Sequence, residues 1–376
     1  MKTKYSIVRE YIEKRILDET YMSNEKIESE SELMKRFGVS RHTVRLAIGD
    51  LVTEGWLYRE QGAGTFCADR SKRERQKNND VKKIAIIATY ISDYIFPSII
   101  QGAEARLSEE GYQVSIFSTN NSFEKEKEVL EKVLLQHFDG IIVEPTKSAC
   151  PNPNITYYLD LEHLNIPYIM INAYYDVLKP YYIAMDDEKG GFLQTEYLIK
   201  NGHRHIVGLF KSDDLQGEKR LKGFIHAHRE YHVDVNPTNI ITYDTEDETD
   251  KIKQKLEEIL EQDQQITAIA CYNDQLAMEV LDVLRKKQLQ IPQNISIIGF
   301  DDSPLANISE VKLTSIPHPK SEMGKEAANK IIALIQTRQA NKQETAPIVE
   351  SIQYEPKIKE RSSVLDLENE EIKEIQ

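Results

Sequence analysis

Arg41, His42 and Arg45 stand at the start of a stretch, Ser40 to Leu51, whose apolar residues fall at helical spacing. Two guanidinium groups and an imidazole near a helix N-terminus can pair with base edges and phosphates in a DNA major groove. A solvated basic face is the other reading of the same residues. A second set of side chains follows short apolar runs later in the chain: Asp93, Tyr94 and Phe96, then Glu144 and Lys147, then Arg220, Tyr272, Asn273 and Asp301. Carboxylates and a guanidinium form strong paired hydrogen bonds with polar groups of a ligand, and an aromatic ring covers an apolar ligand face. Phe96 is the candidate for ring stacking and Lys147 for a hydroxyl. Helix caps and salt bridges compete for each of these side chains. No poised nucleophile and base, and no phosphate loop, accompanies them, so no catalytic residues are expected. His203 and His205 flank Arg204 at a metal-like spacing but lack a third ligand, so neither a metal nor a cofactor is expected.

The elements that must position the first set are short. Tyr5 to Asp18 has apolar residues at helical spacing, with Lys4 at its entrance. Ser29 and Glu32 fit a capping box opening a second helix that Gly38 ends. Ser40 is a suitable N-cap for the third, in which Val44, Ala47, Ile48 and Leu51 form one buried stripe. Two β-prone runs, Trp56 to Glu60 and Thr65 to Ala68, surround Gln61-Gly62-Ala63-Gly64 and predict a hairpin. Gly62 permits a close backbone approach to a phosphate or minor groove; an ordinary surface turn that needs glycine for positive φ is the other reading.

Residues 4–68 resemble the winged helix-turn-helix of the GntR family. The resemblance rests on Ser29-Glu30, Glu32-Leu33, Phe37 to Arg41, Thr43 to Arg45, Ala47, Leu51, Gly55, Leu57, Gly62 and Gly64-Thr65. Glu28 departs from the family's usual proline, and Gly49 lies inside the third helix at a cost of about 1 kcal/mol relative to alanine. The resemblance implies that Arg41, His42 and Arg45 read bases or grip phosphates and that Glu30 orients them. It also implies that Lys4, Gln61 and Gly62 touch the backbone or minor groove.

Asp69 to Asp80 is polar throughout and reads as a tether. Strand and helix signals then alternate, beginning with Ile84 to Ala88, a run as apolar as a parallel strand buried on both faces. A second set is expected to begin near Ile183. Repeated strand-helix units in two sets predict two doubly wound lobes with a ligand between them, at the carboxyl ends of the strands. This part resembles the sugar-binding core of LacI/GalR repressors. Phe138 to Val143, Asp186 to Gly191, Gly202 to Ile206, Arg220 to Phe224, Tyr272 to Asp274, Ile291 to Ser296, Gly299 to Asp302 and Leu313 to Ser315 carry the resemblance. It marks Arg220, Asn273 and Asp301 as the surest sugar residues. Asp187 departs from a common asparagine, and that family's own headpiece and hinge helix are absent. The pairing of head and body, with Thr89 to Ile100 and Val143 to Ser148, resembles arabinose-responsive repressors of Gram-positive bacteria and implies L-arabinose as the effector.

The expected architecture is therefore multidomain. An α+β winged helix-turn-helix domain spans 1–70 and a linker 71–82. An α/β two-lobed, periplasmic-binding-protein-like (LacI-type) domain spans 83–365 and an acidic tail 366–376. The net charge of -14 is uneven: residues 1–80 hold 16 Lys+Arg against 14 Asp+Glu, and the rest 32 against 48. That favours DNA binding through the head alone. Three dispersed cysteines, no apolar run of membrane length and no signal-peptide core point to the cytoplasm. The expected function is a homodimeric repressor that binds a palindromic operator and is released by sugar. An activator, a regulator answering another pentose or hexose, a sugar-processing enzyme and a transport-binding protein are the rivals.

Overall fold

The computed structural model describes residues 4–17, 20–22, 24–53, 56–60, 63–68, 82–92, 94–136, 138–339 and 349–368. They divide into two units, Met1–Val81 and Lys82–Gln376. Gln61, Gly62, Asp93 and the tether at 69–81 lie outside the described residues.

In the first unit α1 (Lys4–Leu17), α2 (Glu30–Phe37) and α3 (Arg41–Thr53) precede a hairpin of β1 (Leu57–Glu60) and β2 (Gly64–Cys67). The Ser29 hydroxyl accepts the Glu32 amide, and the Glu32 carboxylate accepts the Ser29 amide, so both members of the capping box form. Gly38 ends α2 at φ 59°, a left-handed conformation that costs glycine nothing. Ser40 accepts the Thr43 amide at 3.2 Å. The stripe Val44, Ala47, Ile48 and Leu51 is buried against Val8, Ile12 and Leu33. Glu28 has a job that proline could not do. Its carboxylate accepts the phenols of Tyr11 and Tyr21, each at 2.9 Å, and pairs with Arg36 at 2.6 Å, tying α1, the intervening turn and α2 together.

The second unit opens with β3 (Lys83–Ala88), α4 (Phe96–Glu109), β4 (Gln113–Ser118), α5 (Phe123–Gln136), β5 (Gly140–Val143), α6 (Ile155–His163), β6 (Tyr168–Ile171) and β7 (Tyr182–Met185). Next come α7 (Asp187–Lys200), β8 (Ile206–Lys211), α8 (Leu215–Glu230), β9 (Ile240–Tyr243), α9 (Thr249–Gln262), β10 (Ala268–Cys271), α10 (Asp274–Lys286), β11 (Ser296–Asp301), α11 (Pro304–Ile308) and β12 (Thr314–Pro317). The last elements are α12 (Lys320–Gln339) and β13 (Ile352–Tyr354). Two parallel sheets result, ordered β13-β7-β6-β5-β3-β4 and β12-β11-β10-β8-β9. All four residues of β5, β6 and β10 are buried, as central parallel strands covered by helices on both faces must be.

Two expectations are corrected. The second lobe does not begin near Ile183, because β7 pairs with β6 and completes the first sheet. Nor do the lobes follow one another cleanly. The chain crosses after β7, returns after β12 so that β13 can pair with β7, and crosses again to lay Lys359 beside Ser315. A short apolar run cannot announce which sheet it will join, since pairing is decided by neighbours distant in sequence. The beginning of the acidic tail is also held: the Leu367 amide donates to the Asn201 carbonyl. Among the described residues no helix is long and apolar enough to cross a membrane.

Candidate functional site

The first unit presents its cations on α3. Arg41, His42 and Arg45 are exposed at its N-terminal turns, and Lys4 is exposed at the start of α1. Arg45 Nε donates to both oxygens of Glu30, at 3.1 and 3.0 Å. The bond uses Nε and so leaves uncommitted to Glu30 the Nη pair, the edge that meets a guanine or a phosphate in a two-point contact. Glu30 is the first residue of α2, so the turn between α2 and α3 sets the aim of Arg45. Leu46, beside it and 49% exposed, was not anticipated. An apolar side chain left in water on this helix suits a thymine methyl.

In the second unit the strand ends of both sheets face a cavity of about 400 Å³. Tyr94, Phe96, Glu144, Arg220, Tyr272, Asn273 and Asp301 all line it, so most of the residues singled out by sequence are brought together. Lys147 is not in that wall. Its ammonium pairs with Glu246, across from it on the other lobe. The Tyr94 hydroxyl is also engaged, donating to the Phe300 carbonyl at 3.1 Å and accepting the Asp274 amide at 3.1 Å. Asn273 caps α10 through its carboxamide oxygen, 2.8 Å from the Leu276 amide.

Arg220 organises one wall. Its Nε and Nη2 lie 2.9 and 2.8 Å from Asp187 Oδ1, Nη1 donates to the Tyr272 carbonyl at 2.6 Å, and Nη2 stands 3.7 Å from Asp301. Its guanidinium carbon lies 3.5 Å from the Phe300 ring centroid and 4.9 Å from that of Tyr272. α7 and α8 must pack closely for this. A Cβ on Gly191 would sit 2.2 Å from the Arg220 carbonyl oxygen, so only glycine fits there. Burial pushes the Asp187 carboxyl up to about 6 against the pull of Arg220, and raises Asp301 as well. For Asp186-Asp187 the sequence suggests capping or sugar recognition; Asp186 makes the cap, and Asp187 lines the cavity.

The opposite wall is a hydrogen-bonded relay of which the sequence singled out Glu144 but neither Asn172 nor His318. Glu144 accepts the Thr89 amide at 2.9 Å, the Thr89 hydroxyl at 2.5 Å and the Asn172 amide group at 2.8 Å. Asn172 Oδ1 is then left to accept from His318 Nε2 at 3.0 Å, which fixes the Nε2–H tautomer. Burial, with Lys320 and Arg220 nearby, pushes the imidazole down to about 3 and keeps it neutral. His318 Nδ1 is consequently an acceptor. It and Asp301 Oδ1 are buried without a hydrogen-bond partner. Both residues line the cavity, Asp301 Oδ1 with Arg220 Nη2 3.7 Å away, and acceptors of this kind suit a ligand that brings hydroxyl donors. His318 carries no sequence motif; only its place just after β12 marks it.

His203 and His205 do not form a pair. His203 is buried, with Nδ1 2.9 Å from the Thr267 hydroxyl and Nε2 3.1 Å from the Leu365 carbonyl, so both nitrogens serve packing.

The family model of bacterial regulatory proteins of the gntR family matches residues 4–67, and that of the periplasmic binding protein-like domain matches 195–364. Among solved structures, the transcription regulator CcpA of Lactococcus lactis superposes with a TM-score of 0.65 at 20% identity, over 76% of this chain and 99% of that one. The CelR–cellobiose complex gives 0.65 at 21% identity, over 86% and 91%. These likenesses establish the fold. An arabinose metabolism transcriptional repressor of Halalkalibacterium halodurans is 55% identical over 98% of this chain and 99% of its own length. Another, of Geobacillus stearothermophilus, is 45% identical over 97% and 98%. With its gntR-type head, its two-lobed binding body and identity of this extent along nearly its whole length, the chain belongs to the family of arabinose metabolism transcriptional repressors.

Proposed function

We propose that this repressor holds operator DNA through a pair of heads in a homodimer and lets go when L-arabinose fills the cavity. The observation that carries the ligand half is the pair of buried, unmet acceptors, Asp301 Oδ1 and His318 Nδ1, in a cavity that also offers Arg220 and the rings of Phe96 and Tyr272. Hydroxyl groups satisfy both acceptors, and a sugar ring face lies against an aromatic side chain. Asn273 and Glu144 complete the polar wall. In the head, Arg41, His42 and Arg45 meet base edges or phosphates with Glu30 holding Arg45, while Lys4, Gln61 and Gly62 meet the backbone or minor groove. Two-fold symmetry of the dimer is mirrored in a palindromic operator. The repressor works in the cytoplasm, where its cysteines stay reduced. L-Arabinose is the effector, and no cofactor takes part.

Sugar releases the operator only through a difference in its affinity for two lobe arrangements, so tight binding alone is not enough. The test is calorimetric titration with a panel of pentoses and hexoses, paired with gel-shift release of operator by each. Binding and release by L-arabinose above the others is the expected result. Release by a different sugar alone would move the ligand assignment, and binding of none would overturn it.

A further inference from the structure

Lys147 sits at φ 41° on the loop after β5, half-buried but outside the cavity wall. Three neighbours from the first lobe reach across with it. Asn121 Nδ2, buried, donates to the Thr245 hydroxyl at 2.6 Å and approaches Asp213 Oδ2 at 3.5 Å. The Ser148 hydroxyl accepts the Leu215 amide at 2.9 Å, and the Ala149 amide donates to the Asp213 carbonyl at 3.4 Å. Lys147 itself pairs with Glu246, and its amide donates to Asn121 Oδ1 at 2.8 Å, so the loop moves as one piece with Asn121. On the second lobe the receiving groups sit on the loops after β8 and β9. Asp213 is anchored there by Lys211 at 3.2 Å and by the Thr245 amide at 3.0 Å. The bonds from Asn121, Lys147, Ser148 and Ala149 to Thr245, Glu246, Leu215 and Asp213 span the lobes, so opening the cleft breaks them together.

We infer that Lys147 and Asn121 form a clasp across the mouth of the cleft, and that Lys147 acts on the sugar by holding the lobes shut rather than by touching it. Lys147 is then a positioning residue. This rests on the reading of the cavity as a sugar site. The clasp slows escape of the ligand, because a bound sugar leaves only after these bonds open.

The test uses the full-length protein and L-arabinose, with dissociation followed by stopped flow, affinity by calorimetry and lobe opening by small-angle scattering. Lys147→Glu places like charges opposite each other and should raise the dissociation rate about two- to fivefold, the range of an exposed pair. Glu246→Lys should do the same, and the double exchange should restore the parent rate. Asn121→Asp keeps the left-handed turn and the acceptor for the Lys147 amide but sets a carboxylate against Asp213; a loss of about tenfold and a larger radius of gyration are expected. If Lys147→Glu weakens binding and the exchange with Glu246 does not rescue it, Lys147 touches the sugar and the clasp is wrong. Unchanged rates in every variant overturn it as well. A parent protein that binds no L-arabinose overturns the ligand assignment instead, and the same arms repeated with the sugar that does bind then decide the clasp.

Discussion

Two arginine–carboxylate pairs in this chain have nearly the same bond lengths and opposite surroundings. Arg45 and Glu30 meet at 3.0 Å with side chains 60% and 29% exposed; Arg220 and Asp187 meet at 2.8 Å with 4% and 3% exposed. In water the first pair is worth little as a bond, and under the proposed function its value lies in aiming the Nη edge of the guanidinium outward. In the cavity wall the second pair is a neutralised charge centre that cannot be halved without leaving its partner stranded. A DNA contact must be exposed and long-ranged, because phosphates attract from a distance. A sugar contact must be buried, because the ligand is neutral and only short hydrogen bonds discriminate it.

The largest test of this contrast is Arg220→Ala. It leaves Asp187 and Asp301 buried without their cation and should cost the body about 3–5 kcal/mol, read as a lowered urea midpoint. The folded fraction should still bind operator and ignore sugar; normal release by sugar would remove Arg220 from the site. Arg45→Ala comes next, costing operator affinity about 1–3 kcal/mol in a gel-shift titration while sugar affinity stays put. An unaltered gel shift would mean that Arg45 reads nothing.

Acid should separate the two regions further. Burial pushes the His203 imidazole down to about 4, from about 6.5 in the unfolded chain. The unfolded state therefore binds more protons between those values, and stability falls as the pH drops through that window. His203→Gln should remove about 1 kcal/mol of the body's loss between pH 7 and 5.5, seen as a shallower pH dependence in urea melts. A variant with the parent's slope would show that this imidazole already titrates normally. Glu30→Gln is the smallest effect, under about 1 kcal/mol in operator affinity. A loss as large as that of Arg45→Ala would mean that Glu30 does more than aim its neighbour.

Legibility in the sequence followed locality. The capping box at Ser29, the stop at Gly38 and the stripe from Val44 to Leu51 are local patterns, and each stands in the structure as read. The polar residues at strand ends were legible for a related reason: in doubly wound sheets the carboxyl ends of strands converge whatever the details. His318 was not legible as a wall residue, and Asp187 was legible only as a cap or a sugar contact, because what places them is the approach of α8 over Gly191 and the relay from Glu144 through Asn172. Lys147 stands apart for the opposite reason. Its position in sequence suited a sugar hydroxyl, but its ammonium pairs with a carboxylate 99 residues away.

Taken by itself, the order of apolar and polar residues determined the helices of the head, the hairpin, the alternation of strand and helix, and the chemistry available at each strand end. Those depend on neighbours within a few turns. Only the tertiary structure decided that β7 and β13 complete the first sheet, that Arg220 is shared by Asp187 and Asp301, and that His318, in the cavity lining, keeps an acceptor without a protein partner. Each of these is a matter of which distant groups satisfy a buried charge or hydrogen bond, and burial sets that choice after the chain has folded.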